Sequence, residues 1–375
     1  MKVRIEISPL ASKHRSGVAQ YTKLLTEALV RSNATVHGHF FNFLNRQPNP
    51  DIDLSVNEAN HSFPLRIYAK LQSYNIAPPF DIALPKVDLT IFANFATWPT
   101  IKSHKIATVI HDLTYLYFPE VVEEKNLAHL RRVVPRSIRK ASFIITVSES
   151  VKAELIKEFN LDPSRCIVTP IPPDESFFQQ VSSDTIQLVK EKYALNPEKK
   201  YLYFIGNFEP RKNLKTLIEA YRLLPQSVKD EYALVLAGGK GWKTESTQRA
   251  LTEAQDVGED ITHLGFIDQA DSPALYQGAS IFVMPSLYEG FGIPVLEAMA
   301  SGTPVIAADI PVLREVGANI ASYADPHSPR SFADAIIAAI NTPIASREEF
   351  QKNVRRYSWT HNIKSIIDAI NAPQE

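Results

Sequence analysis

Strand-like and helix-like hydrophobic patterns alternate along almost the whole chain, and this alternation constrains the fold more than any other feature. Residues 3–8 alternate as a half-buried strand does. Residues 18–31 carry Val18, Tyr21, Leu25, Ala28 and Leu29 at the spacing of one helix face. Strand-like runs follow at 35–43, 88–93 and 106–111, then a helix-like run at 126–140 despite Pro135, a strand at 143–147, a helix at 151–159 and a short strand at 166–169. A second series places strands at 201–205, 233–237, 263–264, 281–285 and 305–307. Its helices fall at 214–224, 246–255, 294–300, 331–340, 347–357 and 361–370. Strands separated by helices favour parallel α/β layers.

The alternation lapses between Pro170 and Glu198. Ile171-Pro172-Pro173-Asp174-Glu175 sets two residues without a backbone donor side by side. Beyond it lies a polar stretch with one helix-like run at 183–193. This break divides the chain into domains 1–180 and 181–356, and 375 residues suffice for two. Two doubly wound units facing a cleft fit the pattern, with ligands at the carboxyl ends of the strands. Residues 45–60, rich in Asn, Asp and Pro, read as a mobile loop.

Charge excludes one class of function. Forty basic and 41 acidic residues leave a net charge of −1, without the basic excess of a dedicated nucleic-acid binder. The first 180 residues hold 21 basic and 17 acidic residues, the remainder 19 and 24. The single cysteine, Cys166, excludes an intrachain disulfide and a cysteine-rich zinc site, and fits a reducing, cytoplasmic setting. Arg4 and Glu6 interrupt the first apolar run, unlike a signal peptide. No run reaches the length of a membrane-spanning helix.

The most informative segment runs from Pro285 to Pro304 and follows the strand at 281–285. Gly290 and Gly292 let the backbone approach a ligand just before the helix at 294–300. Pro294 suits the first helical turn. Amide groups and the helix dipole at that turn favour an anion such as phosphate. Glu289 lies in the loop and Glu297 in the first helical turns. Eight fully helical steps would separate them by about 12 Å, too far to share one atom but suited to two points along a polyhydroxylated ligand. A tight turn with a surface glutamate accounts for the same residues. Upstream, Arg211 offers a planar fork for phosphate oxygens and Lys212 a compact charge. The alternative there is a solvated pair at the start of a helix.

Glu289 and Glu297 resemble the Glu-x7-Glu motif of retaining glycosyltransferases of the family 4 type, which have the GT-B fold. The resemblance implies that Glu289 contacts the sugar of a nucleotide-sugar donor and Glu297 the ribose. It also implies that Gly290, Phe291, Gly292 and Ile293 form the diphosphate loop. Gly206-Asn207 followed by Arg211-Lys212-Asn213 is similar to the family's donor-phosphate segment. Gly17 matches its glycine turn, usually written with two glycines; here Ser16 precedes it. His111, at the end of a strand, resembles the family's histidine near the donor sugar, where a neutral imidazole would meet a sugar hydroxyl. Thr146-Val147-Ser148-Glu149-Ser150 reads chiefly as a strand end with a helix cap. Gly265-Phe266-Ile267 looks like the loop that meets the nucleotide base. The segment from Tyr357 onward resembles the family's crossing helix, which packs on the first domain.

Two further motifs are set aside. Asp51-Ile52-Asp53 matches a metal-binding Asp-x-Asp, but in a Pro/Asn-rich loop, and no metal or other cofactor is implied. Gly238-Gly239-Lys240-Gly241 lacks the spacing of a phosphate loop and reads as a strand–helix turn. The resemblance thus implies a retaining transfer of a hexose from a nucleotide-sugar donor to a glycan or lipid-linked glycan acceptor. The surroundings of His111 and of Thr146 look most like bacterial mannosyltransferases of polysaccharide biosynthesis, which points to GDP-mannose. A UDP-hexose donor, an epimerase or phosphorylase on the same scaffold, and a silent nucleotide-sugar-binding partner subunit stay open. Arg131, Arg132, Arg136, Arg139 and Lys140, near Leu127, Leu130 and Val133, could touch an anionic membrane surface; a solvated helix face is the alternative. Nothing in the sequence specifies an oligomeric state.

Overall fold

The structure is a computed structural model that describes residues 1–11, 17–41, 57–61, 65–73, 76–239, 241–342 and 345–372. The chain divides into two compact units. The first comprises Met1–Tyr117, Glu124–Ile171 and Ser358–Glu375, the second Phe118–Glu123 and Pro172–Tyr357.

Among the described residues, the first unit is built on a seven-stranded sheet. Its strands are β1 (Lys2–Glu6), β2 (Thr35–Phe41), β3 (Asn57–His61), β4 (Val87–Phe92), β5 (Ser103–Ile110), β6 (Phe143–Thr146) and β7 (Cys166–Val168). They run parallel in the order β3-β2-β1-β4-β5-β6-β7. The second unit holds β8 (Lys200–Ile205), β9 (Tyr232–Ala237), β10 (Ile261–Gly265), β11 (Ile281–Met284), β12 (Val305–Ala308) and β13 (Ser322–Ala324). These are also parallel, in the order β10-β9-β8-β11-β12-β13. Each sheet is doubly wound, with its order reversing between β1 and β4 or between β8 and β11. Every residue of β6, β9, β11 and β12 is buried, as in a parallel sheet covered on both faces, so these strands read as continuous apolar runs.

The Gly17–Arg31 helix buries Ala19, Tyr21, Leu25, Ala28 and Leu29, while Val18 is only half-buried. The Glu124–Lys140 helix passes through Pro135, held by the burial of Val133, Val134, Ser137 and Ile138. Several elements depart from their sequence signals. The expected loop at 45–60 contains the start of β3; its residues Asn57-Glu58-Ala59-Asn60 show no apolar alternation because β3 is an edge strand paired only to β2. The rest of that stretch, including Asp51 and Asp53, lies outside the described residues. The Leu65–Ser73, Gln226–Glu231, Ser272–Gly278 and Pro311–Gly317 helices and strand β13 left no clear periodic signal. They are short, and Pro273 and Pro311 open two of the helices at positions where a missing donor costs nothing.

The last helix, Trp359–Asn371, is capped by Ser358 and belongs to the first unit. Trp359 packs against Tyr21 at 5.9 Å, and Asn362 donates to the Pro170 carbonyl at 2.7 Å. The buried Lys105 ammonium, on β5, donates to the carbonyls of Ala369 at 3.0 Å and Ala372 at 2.6 Å. A cation thus closes the carbonyl end of this helix. Replacing Lys105 by Met, of similar shape, leaves those carbonyls unpaired and is expected to cost about 1–3 kcal/mol. Hydrogen exchange should then accelerate across 359–371 before it does in β8 and β9.

Candidate active site

Among the described residues of the second unit, the buried charged side chains, Lys212 and Glu289, lie past the carboxyl ends of β8 and β11, where its strand order reverses. After β8 the chain passes Gly206 and Asn207 into a single tight turn, Pro210–Lys212. Asn213 then adopts the left-handed conformation, φ 57°, and starts the Leu214–Arg222 helix. Its amide donates to the carbonyls of Pro285 at 2.9 Å and Pro326 at 2.7 Å. After β11, residues 285–292 form the loop expected from the sequence. Leu287 N donates to the Arg211 carbonyl at 2.9 Å, so the two loops are stitched through their backbones.

Ion pairs complete the stitching. Arg211 donates to Glu289 Oε2 at 2.5 Å, to the Tyr288 carbonyl at 2.8 Å and to Glu209 Oε1 at 2.7 Å. Lys212 Nζ donates to Glu289 Oε1 at 2.8 Å. The side chain of Glu289 is 7% exposed and that of Lys212 10%, so water screens these pairs weakly. Burial alone would push the Glu289 carboxyl up; the charges of Arg211 and Lys212 override it and hold the group down at about 2.

Glu297 lies in the Ile293–Ala300 helix and has no such cations. It accepts a hydrogen bond from the Tyr276 hydroxyl at 2.9 Å. Burial pushes its carboxyl up to about 7, with the charge of Asp174 adding to the effect and the Tyr276 bond opposing it. Two carboxylates of one motif are thereby driven to opposite protonation behaviour. Gly292, with φ 103°, caps the same helix in a conformation that favours glycine, and a Cβ there would come within 2.8 Å of Leu313.

The other expected site residues are placed as follows. Phe291 is buried with its ring edge-on to Tyr357 at 5.5 Å. Ile293 is half-buried, and Gly290 lies beside Glu289 in the loop. Gly265 ends β10, and the following Phe266 is 77% exposed, its ring lying over Gly239; Ile267 comes next. Gly238 packs against the Gly206 carbonyl so closely that a Cβ would approach it to 2.0 Å. In the first unit, Gly17 is exposed at the first residue of its helix. His111 follows β5, with Nε2 bonded to the Ala93 carbonyl at 2.9 Å; burial holds its pKa below the ordinary histidine range. Ser148 caps the Glu149–Phe159 helix, and Thr146 donates to the Ile110 carbonyl. Sequence reasoning missed Glu209 and Tyr276. Glu209 meets Arg211 across a turn rather than a helix period, and Tyr276 sits on the helix at 272–278 that gave no signal.

Residues 185–357 match the family described as Glycosyl transferases group 1, and residues 15–176 match Glycosyltransferase Family 4. O-antigen chain mannosyltransferase B of Escherichia coli is 30% identical over 269 residues, 71% of this chain and 70% of that protein. The chain belongs to glycosyltransferase family 4. O-antigen chain mannosyltransferase RfbU of Salmonella typhimurium is 29% identical over 271 residues, 72% of the transferase and 70% of that protein. The structure of sucrose-phosphate synthase from Thermosynechococcus elongatus superposes with a TM-score of 0.76, covering 99% of the transferase and 98% of that chain at 18% identity. The fold is GT-B. Among the described residues of the transferase, no three His, Cys, Asp or Glu side chains are grouped to hold a metal ion.

The two glutamates predict opposite pH effects. Glu289 titrates near 2 in the fold against 4.5 for an ordinary carboxyl, so its contribution is complete above about pH 4.5 and lost as pH falls toward 2. Glu289→Gln strips Arg211 and Lys212 of a buried counterion and should cost about 3–5 kcal/mol at pH 7. Glu297 is raised from 4.5 to about 7, so its contribution is complete below about pH 4.5 and lost as pH rises through 7. Glu297→Gln should therefore melt several degrees above wild type at pH 8 and level with it near pH 4.5, a difference of at most ~3 kcal/mol. Thermal denaturation of both variants across pH 2–8 checks the signs.

Proposed function

We propose that the transferase moves mannose from GDP-mannose to a hydroxyl of a growing, lipid-linked glycan, with retention at the anomeric carbon and without a metal ion. The observation that carries the chemistry is the joining of Arg211, Lys212 and Glu289 at the β8–β11 reversal. The sugar rests on the two relatives named as O-antigen chain mannosyltransferases.

In this reading, Arg211, Lys212 and the backbone amides at Gly290–Ile293 face the diphosphate, and Glu297 accepts from the ribose hydroxyls. Gly206 and Asn207 border the phosphates, and Gly265, Phe266 and Ile267 the base. His111 and Glu289 hold the sugar, and Gly17 lies at the phosphate end of the first unit. The acceptor oxygen bonds to C1 on the face the phosphate leaves. The C1–O bond to the phosphate breaks, its electron pair stays on that phosphate oxygen, and the acceptor's proton moves there. The products are the extended glycan and GDP. The cations are already ordered by Glu289 and Glu209, so stabilising the leaving charge needs little reorganisation.

Wild type mixed with GDP-mannose and an oligomannoside acceptor should release GDP, equally in the presence of EDTA. Arg211→Ala should lower kcat by about 10²–10³-fold. GDP-mannose should raise the melting point more than UDP- or dTDP-sugars do. A larger shift with a UDP-hexose selects that donor instead. Conversion of the donor without acceptor would make the protein an epimerase, sugar phosphate from glycan and phosphate a phosphorylase, and binding without turnover a silent subunit.

We further propose that the first unit meets the cytoplasmic face of an anionic membrane through the Glu124–Lys140 helix. Lys125, Arg131, Arg132, Arg139 and Lys140 are exposed on it, and Glu124 is its only acidic residue. Among the described residues no helix is long and apolar enough to cross a membrane. The protein should float with vesicles containing phosphatidylglycerol but not with pure phosphatidylcholine. Changing Arg131, Arg132, Arg139 and Lys140 to Glu should abolish flotation; equal flotation on both vesicle types counts against the electrostatic contact.

A further inference from the structure

Just past β4, a phenylalanine holds a backbone conformation that its side chain disfavours. Phe95 has φ +55°, in the left-handed region where Cβ crowds the following carbonyl. Ala96 N donates to the Asn94 carbonyl at 2.5 Å, closing a three-residue turn around it. The surroundings fix this turn. Phe95 N donates to the Val109 carbonyl at 3.0 Å, and Thr97 N to Ser137 Oγ at 2.9 Å. Gln72 donates to the Thr97 carbonyl, and Trp98 stacks on Tyr68 with ring centroids 4.9 Å apart. Glycine or asparagine would satisfy the same backbone bonds with less strain. The turn therefore does not require a phenylalanine, and strain kept in place by its surroundings is a mark of functional positions.

What the phenylalanine adds is a ring, and the ring is not a core anchor. Phe92, three residues earlier, is fully buried, whereas Phe95 is half-buried and Asn94 beside it is exposed. The Phe95 ring stands 5.8 Å from His111 at an interplanar angle of 69°. His111 is itself fixed. The Ala93 carbonyl can only accept, so Nε2 carries the hydrogen and Nδ1 is the acceptor. Tyr21 packs edge-on to the imidazole at 5.1 Å, and its hydroxyl is bonded to Thr169 Oγ1 at 2.5 Å. This assembly lies at the carboxyl end of β4, next to the β1–β4 reversal, where a doubly wound sheet binds ligands.

We propose that the Asn94–Phe95 turn is the acceptor-recognition platform of the transferase. The Phe95 ring packs on the C–H face of an acceptor hexopyranose, and the Asn94 amide bonds one of its hydroxyls. The electron-rich face of an aromatic ring complements the partly positive C–H groups of a pyranose, and an exposed amide both donates and accepts. Phe95 is a specificity-determining residue rather than a catalytic one. The proposal rests on the reading of the chain as a transferase with a glycan acceptor.

The test measures binding and turnover separately, for wild type, Phe95→Leu, Phe95→Asn and Phe95→Tyr. Calorimetric binding of an oligomannoside should weaken about tenfold or more in Phe95→Leu and Phe95→Asn and be retained in Phe95→Tyr. With GDP-mannose as donor, the KM for acceptor should rise by a similar factor while the KM for donor changes less than about twofold. Phe95→Asn suits the left-handed conformation and should melt at or above wild type, which separates lost recognition from lost folding. Oligomannoside affinity within about twofold of wild type in the Leu and Asn variants overturns the platform, as does a wild type that binds no oligomannoside. Wild type that binds the glycan through Phe95 yet releases no GDP from GDP-mannose overturns the donor assignment and upholds the platform.

Discussion

The carboxylate of Glu289 is the interaction on which the second unit's reversal point depends. It is buried, it is ionised, and two cations seventy-odd residues upstream meet it. Taking a carboxylate, a guanidinium and an ammonium out of water is costly, and such a cluster persists only when its hydrogen bonds are well satisfied. Here Glu289 accepts from both cations, while Arg211 is shared with Glu209 and the Tyr288 carbonyl. Hydrophobic residues of the same volume would hold the loops together at lower desolvation cost. What they would not do is keep an Arg and a Lys fixed at the carboxyl ends of two adjacent strands. The arrangement favours preorganised charge over economical packing.

Glu297 shows the contrast within one motif. It sits on a helix whose first residues are apolar, with a tyrosine as its hydrogen-bond partner and no cation beside it. Environment alone separates the two carboxyls, one held down near 2 and the other up near 7. A group poised near neutrality changes its protonation when a ligand offers or withdraws a hydrogen bond. A group held near 2 does not, and serves as a fixed anion. Such a pair allows one loop to combine a rigid electrostatic anchor with an adaptable acceptor.

Much of this was legible in the sequence, and the parts that were not share a cause. The Gly292–Pro294 helix start and the spacing of Glu289 and Glu297 are local patterns, and local patterns are what a single sequence displays. Arg211 and Lys212 were recognisable as a charged pair, but their meeting with Glu289 depends on β8 lying beside β11, a fact of sheet order rather than spacing. The polar edge strand β3 escaped notice because it pairs with β2 alone and its sequence carries no apolar alternation. Tyr276 was hidden because its helix is buried almost all round and shows no amphipathic period. The strain at Phe95 has no sequence signature at all: nothing in Ala93-Asn94-Phe95-Ala96 announces a left-handed phenylalanine. It follows from the hydrogen bonds to Val109 and Ser137 on either side.

The reversal points of the two sheets differ in chemistry, and the difference suits the two partners of a glycosyl transfer. A nucleoside diphosphate leaves with negative charge, which calls for fixed cations and aligned amides, and the β8–β11 end supplies Arg211, Lys212 and the turn at Gly292. An acceptor sugar is neutral throughout the reaction except for one proton, so cations gain little by facing it. Recognition then falls to ring faces and to amide or imidazole groups that pair with hydroxyls. The β1–β4 end supplies a half-buried Phe95 and an exposed Asn94, set beside the His111 imidazole whose tautomer the Ala93 carbonyl dictates. Among the described residues of the first unit, the buried arginine–aspartate pair, Arg4 with Asp81 at 3.1 Å, ties β1 to the segment that enters β4, at the opposite end of the strands from His111.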